Sequence, residues 1–279
     1  MIKVQYLNFA YGAAYPPVFE DFNLELRSGS IVGLLGKNGT GKSTLLYLLA
    51  GMLLPQRGTV AVNEHQPAER TPQFLSELFL VPEEFELPEV PLSRFVALYS
   101  PYYPNFSCEV LGECLHEFEL TPDVHLARLS MGQRKKVFMS FALAAQTRLL
   151  LLDEPTNGLD IPSKAQFRSV ISRHMNDDRT IVISTHQVRD VEMLIDHVVM
   201  LSGTGLLLSE SVQRLSECFD FAVRPAGDDV SDALYAEPTL SGTAVMTRGT
   251  GLGDTPVSLE LLFNALSHNP KLLQPEALV

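Results

Sequence analysis

With 279 residues, 46% of them hydrophobic, the chain has room for one large α/β domain with insertions or two modest ones. Its 21 Lys and Arg against 33 Asp and Glu give a net charge of −12, which argues against broad binding to a nucleic-acid backbone. No run approaches the roughly 20 apolar residues of a membrane span, and the N-terminus shows no signal-peptide stretch. Cys108, Cys114 and Cys218 have no metal-ligand spacing, so a reduced cytosolic protein with ordinary core thiols is expected.

Residues 2–9 and 18–27 read as strands, separated by turn signals at Tyr11-Gly12 and Pro16-Pro17. Tyr11 alone has two readings, a ring that stacks on a planar base or a loop aromatic closing an edge of the core. Next comes an apolar run, Ile31 to Leu35, followed by Gly36 to Thr44, GKNGTGKST. It fits G-x-x-x-x-G-K-[ST] with Gly36, Gly41, Lys42 and Ser43 at the fixed places and Asn38, Gly39, Thr40 and Thr44 completing the loop. Glycines let consecutive backbone N–H groups wrap a polyphosphate, and the following helical stretch from Ser43 to Ala50 puts those phosphates at a helix N-terminus. Lys42 is expected to reach the β- and γ-phosphates and Ser43 to take a magnesium position.

A turn at Pro55 to Gly58 leads to a strand at Thr59–Val62, and another at Leu78–Val81 ends at Pro82-Glu83-Glu84. From about residue 85 the texture changes. Phe85, Phe95, Tyr99, Tyr102, Tyr103 and Phe106 crowd a stretch broken by four prolines, and residues 108–120 and 130–146 carry helical periodicity. This reads as a helical insertion into an α/β core, whose aromatics either meet a partner or build the insertion's own core.

The core resumes at Leu149 to Leu152, four leucines suited to a strand buried on both faces of a parallel sheet. Asp153 and Glu154 follow, and the carboxyl end of such a strand lies beside the phosphates. Asp153 suits a magnesium contact and Glu154 a base that orients the attacking water. A second buried strand, Thr180–Thr185, delivers His186 to the same edge, within reach of a γ-phosphate.

These motifs together resemble the ATP-binding subunit of ABC transporters over about residues 2–215. Leu129-Ser130-Met131-Gly132-Gln133 resembles the LSGGQ signature, Asp153-Glu154 the Walker B pair, Gly158-Leu159-Asp160 the D-loop, and Ser184-Thr185-His186 the H-loop. Tyr11 matches the adenine-stacking aromatic. The resemblance implies a head-to-tail dimer, homodimer or heterodimer, in which Ser130, Gly132 and Gln133 of one subunit complete the ATP site of the other, and it counts Asp160 among the nucleotide-binding residues. It also implies Mg2+, a separate transmembrane partner, and a peripheral place on the cytoplasmic face of the membrane. On the residues alone, LSMGQ reads as a helix start with Ser130 and Gln133 forming a capping box. Met131 replaces the first signature glycine. Glu83 stands where the family has the Q-loop glutamine, and it reads as a metal or water contact or as part of a solvated acidic loop with Glu84 and Glu86.

Beyond residue 212, strand-like alternation at 219–223 and 233–247 precedes a helix at 259–267. Its apolar face is Leu259, Leu262, Phe263 and Leu266, and Ser258 is its N-cap. The fold class expected is thus a P-loop NTPase core of the ABC type with an antiparallel β lobe, a helical insertion and a small α+β extension. The divisions are 1–84 with 147–212, 85–146, and 213–279. ATP-driven export is the expected function, favoured over import by the extension and Glu83. A soluble assembly-factor ATPase of the same class is the alternative.

Overall fold

The computed structural model describes residues 1–249, 251 and 255–273; parts of the expected C-terminal extension at 250, 252–254 and 274–279 lie outside the described residues. Strands β1 (Ile2–Phe9), β2 (Phe19–Leu26) and β4 (Arg57–Val62) form an antiparallel sheet in the order β2-β1-β4. Between β2 and β4 the chain makes β3 (Ile31–Gly36) and α1 (Lys42–Leu49). After them come α2 (Pro72–Ser76), β5 (Leu78–Val81), α3 (Leu92–Tyr99), α4 (Cys108–Glu117) and α5 (Met131–Ala144). The chain continues through β6 (Leu149–Asp153), α6 (Ile161–Arg173), β7 (Thr180–Thr185), β8 (His197–Ser202), β9 (Gly205–Ser211) and α7 (Val212–Cys218). It then adds β10 (Phe219–Arg224), β11 (Tyr235–Thr239), β12 (Gly242–Arg248) and α8 (Leu259–His268).

The central sheet has the order β5-β6-β7-β3-β8-β9, parallel except for the β8–β9 hairpin. Its apolar runs are explained by burial on both faces. Leu149, Leu151, Val182 and Val199 point into one core with α1 and the antiparallel sheet. Leu150, Leu152, Ile181, Ile183 and Val198 point into the other with α5 and α6. Period-2 geometry turns each unbroken apolar strand into two core faces. The strand order places the ends of β3, β6 and β7 side by side, and these three ends carry the phosphate loop, Asp153-Glu154 and His186. Among the described residues no helix is long and apolar enough to cross a membrane.

The insertion aromatics divide. Phe95 is buried against Phe141 at 4.9 Å, and Phe106 lies 5.0 Å from the same ring. Phe85 stacks on Phe138 at 4.5 Å and Tyr103 packs on Phe79 at 5.3 Å. Tyr99 and Tyr102 stay exposed. Most of the aromatic density therefore builds the core of this arm, because a ring at hydrophobic spacing is more stable against other rings than in water. Of the three thiols only Cys114 is buried, which pushes its pKa up to about 12, whereas Cys108 is exposed.

In the C-terminal part, residues 233–247 make a hairpin rather than one strand, turning between Thr239 and Gly242. Pro238 is tolerated because β11 is an edge of the order β10-β12-β11. Ser258 caps α8 by accepting from the Leu261 N–H. On that helix Leu261 and Ala265 join Leu259, Leu262 and Leu266 in the core, while Phe263 is half-buried.

Candidate functional site

The loop between β3 and α1 turns on Gly41, whose φ of +93° is left-handed. A side chain there would also strike Val18 and Phe19, since a Cβ would lie 2.7 and 2.9 Å from their carbons. Lys42 follows at the first position of α1, buried, and its Nζ donates to the Gly36 carbonyl at 2.9 Å and the Lys37 carbonyl at 3.4 Å. The Thr40 hydroxyl donates to the Lys37 carbonyl at 2.8 Å. An open cleft of about 330 Å³ lies over this turn, lined by Asn38, Gly39, Gly41, Lys42, Ser43 and Thr44 with Tyr11, Val18, Glu83 and Glu154. Gly36 and Thr40 are not among those lining residues; they shape the loop from behind. Tyr11 is exposed at the cleft, its hydroxyl 2.9 Å from Thr44 Oγ1 and its ring edge-on to Phe9 at 5.2 Å.

From β6, Asp153 arrives fully buried, with its carboxylate bonded by the Ser184 and Ser43 hydroxyls. Burial raises its pKa, against the lowering effect of those two bonds, and the Glu154 and Glu83 charges raise it further. A desolvated carboxylate facing other acids is a place where a cation would be stabilised. Among the described residues no three His, Cys, Asp or Glu side chains stand close enough to hold an ion by themselves. That donor set fits magnesium, which keeps several waters and takes phosphate oxygens, with Ser43 and Asp153 as the protein's share.

Glu154 is 5% exposed and holds a φ of +45°, rare for a residue with a side chain. Its N–H donates to the Ser184 carbonyl at 3.0 Å and to Ser184 Oγ at 3.2 Å. Its Oε1 lies 2.8 Å from His186 Nδ1 and 3.7 Å from Lys42 Nζ. Sequence reasoning gave Glu154 and His186 separate roles; the fold makes them a hydrogen-bonded pair and leaves Nε2 of the ring for a ligand. Glu83 is exposed, yet it is tied down, because Asn157 Nδ2 donates to its Oε1 at 2.9 Å. It lines both this cleft and a larger one of about 730 Å³ bounded by Phe85, Met131, Arg134 and Lys135.

Ser130 caps α5 with Gln133 as its capping-box partner, at 3.0 and 3.3 Å. Asp160 caps α6 through the Ser163 N–H at 3.0 Å. Ser130, Gly132, Gln133 and Asp160 are all absent from the lining of the phosphate-loop cleft, so a single chain does not bring them to it. Three residues went unread in the sequence. Lys135 is buried and bonds the turn after Glu154; Asn157 links Glu83 to Gln187, whose Nε2 donates to Asn157 Oδ1 at 3.1 Å; and Gln187 accepts from Lys164 at 3.2 Å. The sequence signal for Lys135 is a cation on the apolar side of the signature helix, since a buried lysine needs partners. Burial lowers its pKa, which the charges of Glu83, Glu154, Asp153 and Glu84 oppose.

Comparison with known proteins assigns the chain to a family. The ABC transporter family matches residues 19–157. The energy-coupling factor transporter ATP-binding protein EcfA2 of Latilactobacillus sakei is 34% identical over 208 residues, covering 69% of this chain and 71% of that protein. The chain belongs to the ABC transporter ATP-binding family. It is an ATP-binding subunit of an ABC transporter and an ABC-type ATPase. The putative HMP/thiamine import ATP-binding protein YkoD of Bacillus subtilis is 30% identical over 77% of this chain and 40% of that protein. A solved ATP-binding subunit of an ABC transporter superposes with a TM-score of 0.68 at 25% identity, covering 76% of this chain and 90% of that one.

Proposed function

We propose that two copies of this ABC ATPase, or one copy and a related subunit, hydrolyse MgATP between them and drive export through a separate membrane-spanning chain. The observation that carries this is that Lys42 and Glu154 line one cleft over a phosphate loop, with His186 hydrogen-bonded to Glu154 beside it and Asp153 behind it. In this reading Tyr11 stacks on adenine, the loop from Gly36 to Thr44 holds the phosphates, and Ser43, Asp153 and Glu83 serve the magnesium ion and its waters. Glu154 takes the proton of the attacking water, and His186 fixes the Glu154 carboxylate through Nδ1 and meets the γ-phosphate. Magnesium, when bound, neutralises charge on the phosphates.

Ser130, Gly132, Gln133 and Asp160 lie outside the cleft of their own chain, which is why the reading pairs each cleft with the signature of a second subunit. The capped α5 N-terminus offers N–H groups to a γ-phosphate. Residues 1–84 and 147–212 form the nucleotide-binding part, 85–146 the arm carrying the signature, and 213–279 an accessory unit. Exposed Tyr99 and Tyr102, next to a groove of about 320 Å³ lined by Leu87, Phe95 and Tyr103, are the surface we assign to the membrane partner, on the cytoplasmic face. We assign export as the direction from the accessory unit and Glu83; the name of YkoD, an import protein, argues the other way.

The sandwich is tested by light scattering on Glu154→Gln protein with and without MgATP. ATP should drive it to a dimer, and Ser130→Arg in the same chain should abolish that gain. A Glu154→Gln protein that binds MgATP and stays monomeric removes the sandwich from the isolated chain.

A further inference from the structure

The turn from Glu154 to Gly158 carries a strained residue, Glu154 at φ +45°, and such a conformation persists only where its surroundings over-determine it. Three elements hold this turn. Ser184 of β7 accepts the Glu154 N–H. The Asn157 side chain bridges Glu83 and Gln187. From α5, Lys135 Nζ donates to the Asn157 carbonyl at 2.8 Å and reaches the Glu154 carbonyl at 3.5 Å. Lys135 is 7% exposed, and its bonds go to backbone carbonyls rather than to a carboxylate. A buried ammonium is costly to desolvate, so a lysine whose only office were to fill space would be less stable there than a methionine or leucine.

We propose that Lys135 is a positioning residue for Glu154. It anchors the carbonyl side of the strained turn, so that the carboxylate stays at 2.8 Å from His186 and 3.7 Å from Lys42. It also joins that turn to the first turns of α5, five residues after Ser130, so the element that carries the signature and the carboxylate at the cleft move as one piece. The inference rests on Glu154 acting as the base. Lys135 is not lined up with the nucleotide cleft itself, being absent from its lining, and its effect on ATP runs only through the turn.

The test compares steady-state phosphate release and ATP affinity in the full chain carrying Lys135→Met, Lys135→Arg and Glu154→Gln. Lys135→Met should lower kcat about 10- to 100-fold, the scale of a misplacement near 1 Å. KM for ATP should move less than about twofold, since no contact at the cleft is removed. Lys135→Arg, which keeps donors for both carbonyls, should recover most of the rate. Added to Glu154→Gln, Lys135→Met should slow hydrolysis no further, because both act through the same carboxylate. A Lys135→Met protein within twofold of wild-type kcat overturns the proposal, and so does a further loss in the Glu154→Gln background, which marks a general structural role. If Lys135→Met fails to fold, Lys135→Gln replaces it under the same criteria, and failure of both to fold marks the residue as structural and overturns the proposal. A Glu154→Gln protein with wild-type turnover sinks instead the reading of Glu154 as base, and the two failures are told apart by which variant keeps its rate.

Discussion

Replacing Lys42 with alanine removes an ammonium held by the Gly36 and Lys37 carbonyls at 2.9 and 3.4 Å, on a residue that lines the cleft. Those two bonds pre-position the charge, so a bound triphosphate meets it without first paying to order a long side chain. A charge-assisted contact of this kind contributes about 1.5–3 kcal/mol, or roughly 10- to 150-fold in Kd. The consequence can be read as stability as well as affinity. At ATP 100-fold above the wild-type Kd, binding should stabilise the wild type by about 2.7 kcal/mol. A variant weakened 100-fold would gain only about 0.4 kcal/mol at the same concentration. For a chain of this size each kcal/mol moves Tm by roughly 2–4 °C, so the ATP-induced shift should shrink from about 5–10 °C to about 1–2 °C. Calorimetry on the folded variant gives the affinity directly. An undiminished Kd and an unchanged thermal shift would refute the assignment of Lys42 to the phosphates.

Two further outcomes follow from groups away from the cleft. Arg179 is buried, its pKa lowered by burial to about 10, and its guanidinium donates to the carbonyls of Leu143, Thr147 and His174 at 3.0–3.2 Å. Arg179→Met leaves those acceptors short of a donor at about 1–3 kcal/mol each, so urea unfolding should show a loss of at least about 3 kcal/mol; a loss under 1 kcal/mol would contradict this role. Burial lowers the pKa of both His174 and His197. The unfolded chain therefore takes up these protons first as pH falls through about 6.5, and stability is lost from there down to the folded values. Asp153, whose pKa is raised, works in the opposite sense, so the histidine share is read as a difference. Between pH 7.5 and 5.5, a His174→Gln, His197→Gln protein should lose less stability than the wild type, and an equal loss would show that the histidines are not the source.

The elements legible in the sequence were those with strong local signals. The unbroken leucines at 149–152 and the run at 180–185 are β6 and β7, and the glycine-rich loop sits between β3 and α1 as its pattern demands. Ser258 and Ser130 were legible as caps because a short hydroxyl followed by helical periodicity has one good use. The pairing of Glu154 with His186 was out of reach: 32 residues separate them, and only the parallel register of β6 with β7 brings them together. The partners of Lys135 and Asn157 were equally out of reach: Lys135 bonds the backbone carbonyls of Glu154 and Asn157, and the Asn157 side chain bonds those of Glu83 and Gln187, all distant in sequence. The aromatic stretch at 85–106 was ambiguous because composition cannot say which rings face inward; Phe95 does, and Tyr102 does not.

The measurement that bears most directly on the account is single-turnover phosphate release by Glu154→Gln beside the wild type, at saturating MgATP. The change keeps the side chain's size and its place beside His186 and removes the carboxylate that takes the proton. General-base contributions run to about 10²–10⁴-fold, so release should slow by at least about a hundredfold, while ATP binding, which rests on Lys42 and the phosphate loop, persists. Release at the wild-type rate would contradict the account, because the cleft would then be turning over ATP without the residue around which its geometry is built.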